Sequence, residues 1–403
     1  MIPVAEAVRI IIEKTRTLAS ERVALAAALG RVLAEDISAD SDLPPFDRAQ
    51  MDGFAVRASD TTDAPVRLRV VGEAAAGRGW RGTLQAGEAV RIMTGAPLPA
   101  GADSVQQVEV TRELEDGAMV EIERATMVGQ FFIRRASEIR KGETVLRAGM
   151  EINAASMAAL ASFGYAEVTV RRRPRVAVLA TGTELVAVDK QPGADEIRDS
   201  NSYSLAAYAE LAGASVERLP FAGDDPELLK RLIAESAPRA NVLVLSGGVS
   251  MGVYDFTKTA LGALGAEIFF ERVALRPGKP TVFARLGTTL VFGLPGNPVS
   301  VSVTFNLFAR TALRAMQGYG HASALEEERA VLARPAKGAS ERMSYLPAKL
   351  RTDEEGRLIA EPLKWGGSSD LVAFTRATAL VILPEGSKTV DAGTVVRVVR
   401  LPG

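Results

Sequence analysis

Between residues 176 and 316 the chain alternates short, unbroken apolar runs with helical patterns, and few architectures accept that rhythm. VAVLA (176–180), VERLPF (216–221), NVLVLS (241–246), TVFARL (281–286) and TLVFGL (289–294) read as buried strands. Helical spacing fills 202–213, 226–237, 255–264 and 298–316. Continuous β-branched runs alternating with helices predict a parallel sheet covered on both faces. Ligands of such sheets bind outside the carboxyl ends of the strands.

The flanking segments have other rhythms. Residues 3–18 and 23–35 carry helical spacing, and Pro44-Pro45 marks a loop. From about 66 to 147 short alternating strands separated by Gly, Pro and Asp predict a compact β-rich domain. A helix over 154–163, a strand at 167–171 and the solvated run RRRPR (171–175) close an N-terminal region of residues 1–175. The αβα domain then spans 176–320, and strands from 328 to 403 form a small C-terminal β domain. The expected fold class is therefore α/β plus β: a central Rossmann-like αβα domain, N-terminal helical and β lobes, and a barrel-like C-terminal β domain.

Three predicted strands end in glycine-rich turns: Thr181-Gly182-Thr183-Glu184, Ser246-Gly247-Gly248-Val249-Ser250 and Pro295-Gly296-Asn297-Pro298. If their strands are parallel, all three turns share one edge. In the last, Asn297 suits a helix cap and Pro298 a first helical residue. Val299, Val303 and Leu307 then recur at the spacing of a sheet-facing stripe. One such turn is equally an ordinary strand-to-helix corner; three on one edge favour a phosphate or other oxyanion.

The composition narrows the chemistry. The chain has no cysteine and one histidine, His321, among 403 residues, which removes thiolate zinc sites, disulfides and a cysteine nucleophile and disfavours a Ser-His-Asp triad. A net charge of −1 gives no pull toward nucleic acid or anionic membrane. The N-terminus, MIPVAEAVRIIIEKTRTL, lacks the unbroken apolar core of a signal peptide, so the expected location is cytoplasmic.

Carboxylates near an anion-binding edge suggest a hard divalent cation, Mg²⁺ rather than zinc. Asp225 precedes Pro226 and reads as a helix cap, which leaves Asp224 for metal, and Asp255 follows the second turn. Asp255 is equally a candidate cap for the helix it precedes. Arg272, Arg276 and Lys279 lie close in sequence, and the spacing of four puts the two arginines on one face. The pattern reads as an oxyanion clamp or as a solvated basic turn. From residues alone the reading ends at a Mg²⁺-dependent site for a phosphorylated or oxyanionic ligand.

Seven segments carry a resemblance: LPPFDRAQMDGFAV (43–56), VRIMTGAPLPAGADSVQQVE (90–109), LATGTEL (179–185), IRDSNSY (197–203), SGGVSMGVYDFTK (246–258), RPGKP (276–280) and GLPGNPVS (293–300). In this order they resemble the molybdopterin molybdenumtransferases, the molybdenum insertase family that includes the C-terminal domain of gephyrin. The resemblance implies a homodimer of four-domain subunits with a shared active site, a β-rich lobe being inserted in the N-terminal region at about 50–137. It implies insertion of molybdate into adenylylated molybdopterin with release of AMP.

By motif match Asp52, Thr94, Glu184, Asp255, Arg272 and Arg276 are the implied catalytic set, and Asp224 and Asp255 the magnesium ligands. Gly182, Ser246, Gly247, Gly248, Lys279, Pro295, Gly296, Pro298 and Ser300 are the implied substrate-binding set.

Several positions depart from the family pattern. Arg272 and Arg276 stand where lysine is common, Ala136-Ser137-Glu138-Ile139 replaces Gly-Glu-Asp-Ile, and Arg48 and Gln50 also differ. Arg342 and Ser369 align only loosely with molybdate-contacting positions. Molybdopterin adenylylation and a non-enzymatic scaffold are the rival readings of the same fold. The PPFDRAQMDGFA segment and the C-terminal β domain weigh against the first, and the lack of any extra interaction domain against the second.

Overall fold

The computed structural model describes residues 1–223, 225–248, 256–319 and 326–402. They form two compact units. One comprises residues 1–35, 148–153 and 167–402; the other comprises 36–147 and 154–166.

At the heart of the first unit is a six-stranded sheet. Its elements are β1 (Arg175–Ala180), α1 (Asn201–Leu211), β2 (Ser215–Arg218), α2 (Pro226–Ser236), β3 (Val242–Ser246), α3 (Phe256–Ala263), β4 (Glu267–Arg272), β5 (Pro280–Leu286), β6 (Thr289–Leu294), α4 (Pro298–Thr304) and α5 (Arg310–Met316). The strand order is β2-β1-β3-β6-β5-β4. The strands β2, β1, β3 and β6 run parallel, whereas β5 and β4 run antiparallel to their neighbours. The fully parallel sheet expected from sequence is thus mixed. A tight turn at Gly287-Thr288 folds β5 back on β6, too short a link for the crossover that parallel pairing requires.

Alternate residues of each central strand enter opposite cores. Val176, Val178, Val242 and Val244 join the core under α1, α4 and α5, while Ala177, Leu179, Leu243 and Leu245 join that under α2 and α3. These side chains are at most 2% exposed, and burying a valine or leucine fully is worth about 1.5–3 kcal/mol. The span 298–316 is helical throughout, with a π-helical turn at Phe305–Ala309 between α4 and α5. Val299, Val303 and Leu307 are completely buried, as their spacing predicts.

The N-terminal segment packs on the same unit. The helix Val4–Lys14 buries Val4, Ala7 and Ile11 against the α1/α4/α5 core. The second helix expected over 23–35 is absent. Instead Ser20–Ala24 is a strand paired antiparallel with Glu167–Arg171, followed by a 3-10 turn at Leu25–Ala27. Gly30, at φ 71°, ends that turn, and Val32 and Leu33 bridge to Glu151 and Val170.

The C-terminal strands close into a barrel. In order they are Met343–Thr352, Leu358–Pro362, Glu327–Leu332, Val395–Arg400 and Ala379–Leu383, which returns to Met343–Thr352. Closure removes exposed strand edges. Tyr345, Leu380, Ile382 and Val399 of the barrel share one core with the αβα sheet.

The second unit is built on a six-stranded sheet. Its order is Ser104–Gln107, Gly53–Val56, Glu88–Ile92, Val66–Ala74, Met119–Ile122 and Thr111–Leu114. One face buries Ala55, Val90, Ile92 and Val105, the other Phe54, Leu68, Val120 and Ile122. No helix among the described residues is long and apolar enough to cross a membrane.

Candidate active site

Because β1, β3 and β6 are parallel and adjacent, the turns that follow them come off one edge side by side. Backbone bonds fix their register. The Thr181 amide donates to the Ser246 carbonyl (2.8 Å), and the Gly247 amide donates to the Leu294 carbonyl (3.1 Å). The described parts of the three glycine turns therefore do gather at one rim. Between them lies a cavity of about 600 Å³.

Its wall holds eight of the residues singled out from sequence: Gly182, Glu184, Ser246, Gly247, Gly248, Pro295, Gly296 and Pro298. Glu184 folds back over Gly182, so that a Cβ on residue 182 would lie 2.4 Å from the carboxylate oxygen. A side chain there would push the Glu184 carboxylate aside, and the φ of 148° is one that side chains resist.

Asn201, at the start of α1, ties the rim together and was not singled out from sequence. Its Nδ2 donates to Ser246 Oγ (2.9 Å) and to the Gly296 carbonyl (2.6 Å). Both amide hydrogens are thereby used, while Oδ1 is buried without a partner among the described residues. Arg198 also lines the cavity, its Nε donating to the Lys190 carbonyl at 2.9 Å. Asp199 accepts from the Ser202 amide (3.0 Å) and hydroxyl (2.5 Å), which anchors the turn into α1. All three lie in IRDSNSY. The segment signalled the site, but an asparagine at a helix start reads as a cap.

The third turn is held from the barrel side. Contrary to the expected side-chain cap, Asn297 stands at the N-cap position of α4 without a capping hydrogen bond from its side chain. Its Nδ2 donates to Ser368 Oγ (2.9 Å), and the Val299 amide donates to the Ser368 carbonyl (3.0 Å). The first available amide of the helix is thus already taken. Ser369, only loosely aligned from sequence, lines the cavity beside Asn297.

Other expected residues lie elsewhere. Arg272 is exposed at the end of β4, with Pro280 opposite it in β5. Arg276 has left that sheet and pairs with Ser344 of the barrel, where it lines a separate cavity with Arg334, Lys337 and Trp365. Lys279 is half-buried and precedes Pro280, which does line the rim cavity. Ser300 is buried in the first turn of the 298 helix. Arg342 donates to the Leu275 carbonyl at 3.5 Å. Asp224, Asp255 and His321 lie outside the described residues. Asp225 is the cap expected for α2, accepting from the Glu227 and Leu228 amides.

In the other unit Asp52 and Thr94 meet. They flank the antiparallel strands Gly53–Val56 and Glu88–Ile92, and Asp52 Oδ1 accepts from the Thr94 amide (2.6 Å) and hydroxyl (2.8 Å). These bonds, the backbone one foremost, hold the Asp52 carboxyl below its ordinary value.

Three family models match in succession: MoeA N-terminal region (domain I and II) over residues 2–164, probable molybdopterin binding domain over 177–315, and MoeA C-terminal region (domain IV) over 329–401. A Bacillus subtilis protein named molybdopterin molybdenumtransferase is 36% identical, covering 98% of this chain and 93% of its own. One of the same name from Nostoc is 37% identical over 95% of this chain and 89% of its own. A crystal structure described as a molybdopterin biosynthesis moea protein from Pyrococcus horikoshii is 32% identical, covers both chains fully and superposes with a TM-score of 0.81.

Proposed function

The chain belongs to the MoeA family, and from that membership we propose that it inserts molybdate into adenylylated molybdopterin, releasing AMP, in a magnesium-dependent reaction. The observation that carries the reading is the rim itself. Three turns from parallel, adjacent strands enclose one polar cavity with Glu184 and Arg198 in its wall.

The donor set suits magnesium. With no cysteine and one histidine in the chain, hard oxygen ligands are what the site can offer. The chain beside position 224 lies at the first turn, where the Gly182 amide donates to the Ala222 carbonyl (3.1 Å). At position 248, before the segment that carries Asp255, the Gly248 carbonyl accepts from the Thr257 amide (3.4 Å). Asp224, Asp255 and Glu184 are the residues proposed to hold the ion. When bound, magnesium supplies charge neutralisation at a phosphate link.

The remaining roles fall to the chain's own groups. Arg198 and Lys279 would hold molybdate or phosphate oxygens through charge-assisted hydrogen bonds. Asn201 keeps the second and third turns in register, so these groups meet the substrate in one fixed arrangement. The active species is proposed to be a cytoplasmic homodimer with a shared active site.

Purified protein mixed with adenylylated molybdopterin, molybdate and magnesium should release AMP in step with metal insertion, and chelation should stop both. Asp255→Ala should fold normally and lose insertion. Full turnover in that variant, or after chelation, would overturn the metal reading. Formation of adenylylated product from ATP and molybdopterin would instead identify an adenylyltransferase. A monomeric mass by analytical ultracentrifugation would remove the shared site.

A further inference from the structure

In the second unit the half-buried indole of Trp80 is seated between two glycines. A Cβ on residue 72 would come within 2.4 Å of Trp80 Nε1, and one on residue 82 within 2.3 Å of Cη2. The two glycines thus touch opposite ends of the ring system, and a side chain at either would displace it. Trp80 also packs against the core that holds Ala49, Ala74, Ile92 and Ala96. An indole turns about only two side-chain torsions, so a ring held in this way is a rigid plate.

The chain around Trp80 leads to Thr94. Ala75 and Arg78 exchange backbone hydrogen bonds of 3.0 and 2.9 Å, which close a short hairpin over Ala76-Gly77. That hairpin rests on the turn after the strand Glu88–Ile92. A Cβ on Gly79 would lie 3.3 Å from Pro97 Cγ, and one on Gly95 would lie 3.9 Å from Ala76 Cβ. The Met93 amide donates to the Ala74 carbonyl (3.0 Å), and the Gly95 amide to the Ala49 carbonyl (2.9 Å). Thr94 and Asp52 are both exposed where they meet. Hydrogen bonds open to water contribute little by themselves, so their geometry is only as good as the support of the two chains. The Asp52 chain is fixed in the sheet, its carbonyl accepting from the Val108 amide at 3.0 Å. The Thr94 turn depends on the hairpin packed against it.

We propose that Trp80 is a positioning residue: seated on Gly72 and Gly82, it pins the 75–80 hairpin against the 94–97 turn and so holds Thr94 to Asp52. Its importance for the reaction rests on the proposed role of the Asp52–Thr94 pair. Trp80 acts through the turn and not on substrate.

The test compares wild type, Trp80→Leu, Trp80→Phe, Gly72→Ala, Thr94→Val and the double variant Trp80→Leu/Thr94→Val. Asp52 is titrated by NMR, Tm is measured alongside, and AMP release is assayed. Trp80→Leu stays apolar but cannot span the two glycines, so the Asp52 titration should move up toward the ordinary 3.8. AMP release should slow about tenfold, the scale expected of a small misplacement. Trp80→Phe should fall between. Gly72→Ala keeps the tryptophan but must shift it, from 2.4 Å to the 3.4 Å at which ordinary contact begins. It should move Asp52 in the same direction, and it decides the matter if Trp80→Leu does not fold. The double variant should show no shift beyond that of Thr94→Val, because both changes break the same contact. An unchanged Asp52 titration in folded Trp80→Leu or Gly72→Ala, with only Tm lowered, would overturn the proposal and leave Trp80 an ordinary core residue. Additive shifts in the double variant would overturn it too, since Trp80 would then act on Asp52 by another route. The titration decides the positioning even in a protein that releases no AMP, an outcome that would count against the proposed reaction alone.

Discussion

Adding one methyl group at Gly247 and at Gly296 should give opposite results, although the two residues face each other across the same rim. An ideal Cβ on residue 247 lies 2.4 Å from the Thr181 carbonyl oxygen and 2.8 Å from Thr181 Oγ1. Ordinary contact begins at 3.4 Å, so about 1 Å of separation must be found between two backbones. Those backbones are held by the Thr181–Ser246 and Gly247–Leu294 hydrogen bonds and cannot part without stretching them. Overpacking of this kind costs about 1–3 kcal/mol. The φ of 93° adds a further ~1–2 kcal/mol for an L-residue. Gly247→Ala should therefore lose about 2–5 kcal/mol of a stability that is typically ~5–15 kcal/mol.

At Gly296 the added methyl meets only Gly247 Cα, at 3.7 Å, and the backbone is outside the left-handed region. Gly296→Ala should be neutral, or more stable by up to ~1 kcal/mol through the unfolded chain. Urea unfolding followed by circular dichroism reads the difference. The Gly247→Ala midpoint should fall by roughly 1 M or more, while that of Gly296→Ala should hold or rise. Equal midpoints, or loss at 296 with 247 unaffected, would refute the claim that close approach of the first two turns builds the rim.

Further outcomes follow from the same geometry. Asn201→Ala removes two hydrogen bonds and one buried unpartnered acceptor, so the net stability loss should be small, about 1 kcal/mol, while insertion falls at least tenfold; parallel unfolding and AMP-release assays test this. Arg198→Ala should raise the KM for molybdate about tenfold, equivalent to ~1.4 kcal/mol, and Arg276→Ala, in its separate cavity, should change it less than about threefold. Thr94→Val should move the Asp52 titration, followed by NMR, up toward the ordinary 3.8. The Asp52 contribution to stability is complete above that value and is lost as pH falls through the lower, folded-state value, so Thr94→Val should narrow the loss on acidification. An unchanged Asp52 titration in the variant would refute the assignment.

Legibility from sequence varied with how local the deciding interactions are. The strand Thr289–Leu294 is legible to the residue because its apolar run is continuous and bounded by Gly, Pro and Thr. The alanines and leucines of segment 23–35 fit helical spacing, yet the segment does not form a helix. Its strand partner is Glu167–Arg171, more than a hundred residues away, and no local pattern encodes that. Arg272 and Arg276 were placed together by a spacing rule that holds only within one element. Here the chain passes from one sheet into another between them. The glycine turns were legible because their stereochemistry is written in the residues. Asn201 was not singled out, because its importance lies in which two turns it reaches.

The grip of Ser368 on the third turn makes the limits of the αβα domain less clean than the change of rhythm near residue 328 suggests. A fragment ending before the barrel would keep every glycine of the rim. It would nevertheless leave the Val299 amide without its acceptor and Asn297 without its anchor, so the mouth of the cavity would loosen. Severing the chain there would thus cost the opening its shape and the sheet part of its cover, because Tyr345, Leu380, Ile382 and Val399 leave the shared core with the barrel.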